Sequence, residues 1–172
     1  MSIIEAVDEP AYAFGSIGQA GSYPFELNLS DKHHPSSVHG VRIDGLPIAV
    51  FGACGGATNI HSNSMIAVGG RSYLAIGPFI VCFSTCPFQW HWAMQADQAT
   101  CFGVYHQPAC DALLSHGELA ISRFDQSGHL IWSSAGANIL TGKLTLHPAY
   151  VEVIDFNGNA YRFDCADGHK HP

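Results

Sequence analysis

Charge is what this chain has least of. Only 12% of its 172 residues are Asp, Glu, Lys or Arg, about half the ~25% of an ordinary soluble domain. Ser, Asn, Gln, His and Gly must cover the surface instead, or another subunit covers part of it, so a homo-oligomer is one expectation. Basic residues are scarcest: seven Lys and Arg, spread singly, face fourteen Asp and Glu, for a net charge of -7. No basic stripe exists to neutralise phosphates, which argues against nucleic acid as a partner. An acidic surface serves solubility or draws a basic protein partner.

Export and membrane signals are missing too. The first ten residues, MSIIEAVDEP, have no basic start and no sustained apolar core, so no signal peptide is read there. The longest apolar stretch, from Tyr73 to Phe83, is broken by Gly77 and Pro78 and is far short of a membrane span. The expectation is a cytoplasmic protein in a reducing compartment. Cys54, Cys82, Cys86, Cys101, Cys110 and Cys165 are then expected as free thiols, mostly buried as small apolar residues.

Helical periodicity is the last absence. What is present is apolar alternation: hydrophobic residues make up 47% of the chain and mean hydropathy is +0.11, which excludes disorder. One domain over residues 1–172 is expected, with a loop-rich segment at 1–37, a first group of strands at 38–105, hairpins at 117–164 and a tail at 165–172. In the first segment only Phe25 to Leu29 alternates as a strand. Asp44-Gly45 signals a type I′ hairpin between Val38–Ile43 and Leu46–Phe51, and Pro47 suits an edge or a strand's first residues. Met65–Val68, Tyr73–Ile76 and Phe79–Phe83 follow, turned at Gly69-Gly70 and Gly77-Pro78. Ala99–Tyr105 is another strand, and Pro108 to Ser115 is the best place for one short helix.

Residues 117–164 read as a six-strand meander. Asp125 and Gly128 are echoed thirty positions on by Asp155 and Gly158, as expected of two hairpins whose Asp opens and whose Gly closes a turn. A third hairpin at Thr141-Gly142-Lys143 joins Asn138–Leu140 to Leu144–Leu146. Leu130, Trp132, Val151 and Val153 are the expected core face. The Asp125, Gly128 and Trp132 spacing fits no β-propeller blade signature. The fold class is therefore all-β: an antiparallel β-sandwich or partly closed barrel, folded into layers because so many strands exceed one flat sheet.

The strings from Ser37 to Val41, Ala49 to Thr58, Asp97 to Val104 and Ser115 to Arg123 resemble those of a group of small uncharacterised bacterial proteins. The resemblance implies a bacterial, cytoplasmic, single globular unit. It carries no activity and no functional residue.

Three chemistries are weighed. His116-Gly-Glu118 has the His-x-Glu spacing of zinc deaminases, but Cys82 and Cys86 lie upstream, where a downstream Pro-Cys-x-x-Cys is required. A divalent metal on His91, His106, His116 and Glu118 would make a metal-dependent enzyme. The competing reading pairs Glu118 with Arg123 or Arg162. The loop histidines His33, His34 and His39 lack the Cys or acidic partners of a metal site. Cys54 and His61 in a glycine-rich stretch suggest a thiol nucleophile, yet nothing there lowers the thiol pKa.

The polar loop Thr58 to Ser64, through Asn59, His61 and Asn63, could hold a small polar ligand against Trp90 and Trp92. Those tryptophans, two apart, would share a strand face opposite His91. A loop that satisfies its own backbone explains the same residues. No catalytic set and no resident cofactor are expected. The leading expectation is a non-enzymatic binding module for a protein partner, of an immunity or regulatory kind.

Overall fold

The computed structural model describes residues 2–31 and 34–172. Among them the chain is all-β, with no helix and no closed barrel. Fifteen strands form four sheets. The first sheet holds β1 (Ile4–Asp8), β2 (Phe25–Asn28), β3 (Ser37–Ile43) and β4 (Leu46–Ala53) in the order β1-β3-β4-β2, with β2 parallel to β4. The second is the meander β5 (Met65–Val68), β6 (Arg71–Ile76), β7 (Phe79–Thr85) and β8 (Phe88–Gln95). The third is β9 (Cys101–Gln107), β10 (Ala112–Gly117), β11 (Ala120–Phe124) and β12 (Leu130–Ala135). The fourth is β13 (Leu144–Leu146), β14 (Tyr150–Ile154) and β15 (Ala160–Asp164), with Lys170 bridging to Phe163 beyond its edge.

The sheets stack in chain order, so sandwich packing occurs three times. Alternation explains how. On β6, Leu74 and Ile76 face the first sheet, where they meet Val41, Phe51 and Ala53. Tyr73 and Ala75 face the third, where they meet Cys101, Val104 and Phe124. On β10, Leu113 looks back to the second sheet, while Ala112 and Leu114 join Val151, Val153 and Phe163 of the fourth. A sheet buried on both faces reads as a near-continuous apolar run, as the stretch from Tyr73 to Phe83 does.

The two ends of the stack are closed differently. Tyr12, Phe14 and Tyr23 of the N-terminal segment cover Val38 and Val50 on the outer face of the first sheet. There the Tyr23 hydroxyl donates to Glu9 at 2.6 Å, and Arg42 pairs with the same carboxylate at 2.6 Å. Burial, with Glu9 beside it, pushes Tyr23 up to about 12. The outer face of the fourth sheet is polar instead. Arg162 pairs with Glu152 at 2.8 Å and lies over Tyr150, on which His147 stacks.

The Asp44-Gly45 turn has both residues at positive φ, as a type I′ hairpin requires. Pro47 sits where β4 has not yet met β2, whose pairing starts at Ala49, so no ladder donor is missed. Three expectations are corrected. Residues 112–115 lie in β10 rather than in a helix, because Asp111 at φ 46° closes a tight turn and Ala112 and Leu113 then find cores on opposite faces. The 117–164 stretch holds five strands, not six, split between two sheets; Asn138–Leu140 is a loop. Leu130 is 55% exposed, for a reason that returns at the site: a β-bulge.

Candidate functional site

The fourth strands of the second and third sheets carry the same device. In each, the register slips by one residue, so Cys82 faces Trp92 while Phe83 faces Trp90, and Arg123 faces Trp132 while Phe124 faces Leu130. The extra residues are His91 and Ile131. A bulge breaks the two-residue period, so Trp90 and Trp92 lie on opposite faces, as do Leu130 and Trp132.

Each bulge aims one indole at the next sheet. Trp92 Nε1 donates to the Gln126 carbonyl at 3.0 Å, and Arg71 donates to the same oxygen at 2.6 Å. Trp132 Nε1 donates to the Cys165 carbonyl at 3.1 Å, joined by Arg123 at 2.9 Å. The glycine that follows in each turn lies flat on the ring. A Cβ on Gly128 would come within 2.8 Å of Trp92, and one on Gly168 within 2.6 Å of Trp132. The turn aspartates Asp125 and Asp164 start these loops, and backbone amides, led by His129 and Ala166 respectively, hold both carboxyls below the usual range. Trp92 is thus a latch between sheets, and its ring packs against Tyr73 and Phe124.

Where the second and third sheets diverge, the latch leaves a groove of about 470 Å³. Its wall is Ala96, Asp97 and Gln98 of the β8–β9 connection, and its floor is Ser122 and Ser133, whose hydroxyls bond at 2.9 Å. Leu119 and Leu130, 41% and 55% exposed, stand on its rim. Asp97 is fully engaged: it accepts from the amides of Ala99, Leu119 and Ala120. The lining therefore offers apolar surface, hydroxyls and amides, and no cation.

A second polar node lies between the first two sheets. Thr58 Oγ1 accepts from the Gly77 amide at 3.0 Å, lies 2.9 Å from His39 Nε2 and shares a hydrogen bond with Ser37 Oγ at 3.1 Å. His39 Nδ1 is 3.0 Å from Asp8, off the line of a straight hydrogen bond. Burial pulls the His39 pKa down against the pull of Asp8, which favours the neutral ring. The order carboxylate, imidazole, hydroxyl matches a nucleophile relay. The hydroxyl decides against one. It has one proton and two lone pairs, and three partners use all of them. The node instead clips the loop between the first and second sheets to both.

The other candidate residues are dispersed. His61 Nε2 donates to the Phe102 carbonyl at 2.6 Å, and its Nδ1 accepts from the Asn63 amide. Ser64 Oγ accepts from His61 N and reaches the Asn59 carbonyl. The loop's polar groups are thus taken up within it and by Asp8, Ser37 and Phe102 beside it. The 240 Å³ hollow beside it is lined by Ala57, Thr58, Asn59, His61 and Phe102, with neither Trp90 nor Trp92. His91 is the bulge residue, and His106 pairs with Asp111 at 2.8 Å. His116 donates to the Leu140 carbonyl at 2.6 Å from a buried site that lowers its pKa. The Glu118 backbone ties Thr100 to Leu140, while Arg123 and Arg162 go to Cys165 and Glu152. Among the described residues no three His, Cys, Asp or Glu side chains come together as metal ligands. His39 is a buried strand residue rather than a loop one, and His33 lies outside the described residues.

Sequence reasoning missed the groove. Leu130 read as core, although the unbroken apolar run Leu130-Ile131-Trp132 is itself a departure from alternation. No protein-family model matches the chain, and no curated protein does.

Proposed function

We propose that the chain is a binding module whose groove between the second and third sheets takes an extended segment of a protein partner. The observation behind this is two exposed leucines set over a hydroxyl floor in an open groove of about 470 Å³. The flanking strands β8 and β12 are both outer edges of their sheets, and an edge offers unpaired backbone groups to an extended chain. With net charge -7 and no cation in the lining, a neutral or basic segment fits and an anionic ligand does not. A bacterial cytoplasmic setting belongs to the same reading, motivated by the thiols of Cys82, Cys101, Cys110 and Cys165.

Affinity purification with the wild type and with Leu130→Asp tests it. A protein held by the wild type at low salt and lost from the variant supports the groove. Identical retained sets, or a groove occupied only by a second copy in light scattering, would remove it.

A further inference from the structure

The groove holds one charge and no counter-charge. Asp97 in its wall is 6% exposed. Its Oδ1 accepts from the Ala99 amide at 2.7 Å, and its Oδ2 from the Leu119 and Ala120 amides at 3.0 and 3.1 Å. These amides orient the carboxylate and leave its charge in place. No lining residue is Lys, Arg or His, and among the described residues no ion pair includes Asp97.

The floor is a row of hydroxyls. Register sets Ser115 opposite Ser122 and Ser122 opposite Ser133, across β10, β11 and β12. Directly opposite residues share one face of a sheet. Ser115 and Ser122 are fully buried, and Ser133 stands exposed on the outer strand. Ser122 and Ser133 share a hydrogen bond, while the Ser115 hydroxyl has no partner. One shared bond uses a single lone pair, so the row has acceptor capacity to spare.

We propose that the groove takes a lysine side chain of the partner segment, with its ammonium at the Ser122 and Ser133 hydroxyls and Asp97 as its counter-charge. This rests on the groove being the binding site and names the residue it selects. The four-carbon stem lies on Leu119 and Leu130, as apolar stems of charged side chains do. The head finds acceptors and an opposite charge, which an enclosed cation requires. Arginine fits less well. Both Asp97 oxygens already carry amides, so the planar fork has no free carboxylate edge to grip, whereas a compact ammonium needs only point acceptors. An acidic side chain would meet the charge of Asp97.

The test titrates the 15N-labelled chain at low salt with N-acetyl-lysine methylamide and with its norleucine, arginine and glutamate counterparts. The lysine compound should shift the amides of Leu119, Ala120, Leu130 and Ser133. Its Kd should be at least about tenfold below that of norleucine, which keeps the stem and lacks the ammonium, and added salt should narrow this lead. Ser122→Ala with Ser133→Ala should remove most of the lead while leaving Asp97 and its amides alone, as the same spectra would show. Norleucine, arginine or glutamate binding the same residues as tightly as lysine would overturn the lysine assignment and leave the groove reading standing. A lead that survives the double serine variant would overturn it as well. Shifts confined to other residues, or none with any of the four compounds, would overturn both.

Discussion

Two of the three boundaries of the stack use one latch and end up differently. Between the second and third sheets, Trp92 and Arg71 grip the Gln126 carbonyl; between the third and fourth, Trp132 and Arg123 grip that of Cys165. The first boundary keeps an open groove, while at the second a buried leucine fills the gap. The connection between them decides this. Residues 96–100 join β8 to β9, and Asp97 pins them against the Leu119 and Ala120 amides. Residues 136–143 are longer, and they tuck Leu140, fully buried, under Trp132, Val151 and Tyr161. A latch holds two sheets at a set spacing, and only a side chain of the right volume fills what remains.

Substitutions can break that comparison, beginning with the latches. Trp132→Ala should cost about 3–5 kcal/mol and Trp92→Ala clearly less, since Trp92 is only half-buried. Urea midpoints of the two variants check this, and equal losses would mean that the boundaries are equivalent. Leu140→Ala comes next, at about 2–4 kcal/mol from the cavity it leaves. Its melting temperature should fall by several degrees.

Glycines sharpen the comparison further. Gly128 and Gly158 have nearly equal positive φ, 83° and 85°, but only Gly128 lies under an indole. Gly158→Ala should cost about 1 kcal/mol from backbone strain alone, and Gly128→Ala about 2 kcal/mol or more. If both cost the same, Trp92 does not clamp the turn.

A smaller effect is expected with pH. Burial lowers the pKa of His116 and His39 from about 6.5, so the unfolded chain binds these protons more readily. Their contribution is complete above pH ~6.5 and is lost as pH falls below it toward the folded values. His116→Phe should flatten part of that decline, seen as urea midpoints between pH 7.5 and 5; an unchanged slope would rule out His116 as a source. Least of all, Leu130→Ser should change stability by no more than about 0.5 kcal/mol. A larger loss would mean that Leu130 packs within the fold and does not stand free on the groove.

How much was legible in advance follows from where the register slips. Hairpins at Asp44-Gly45, Gly69-Gly70 and Gly77-Pro78 could be read because their chemistry lies in two adjacent residues. The echo of Asp125 in Asp155 is real at the turn, where both accept from amides two and four residues on. It is not the repeat that organises the stack. That repeat spans about forty residues, relating Trp92 to Trp132 and Gly128 to Gly168, and its partners are far apart in sequence. The bulge at His91 sits inside Trp-His-Trp, a perfect alternation with no outward sign of a slip. The one at Ile131 left a trace in three consecutive apolar residues.

The sequence by itself determined the strands, most turns and the all-β class, because alternation and positive-φ glycines act over a few neighbouring residues. The tertiary structure decided which side chains were buried. Whether Trp92 stacks on a ligand or on Gly128, and whether Leu130 is core or rim, depends on a one-residue slip fixed by the strand beside it. The groove arises one step later, where one sheet comes to rest on the next.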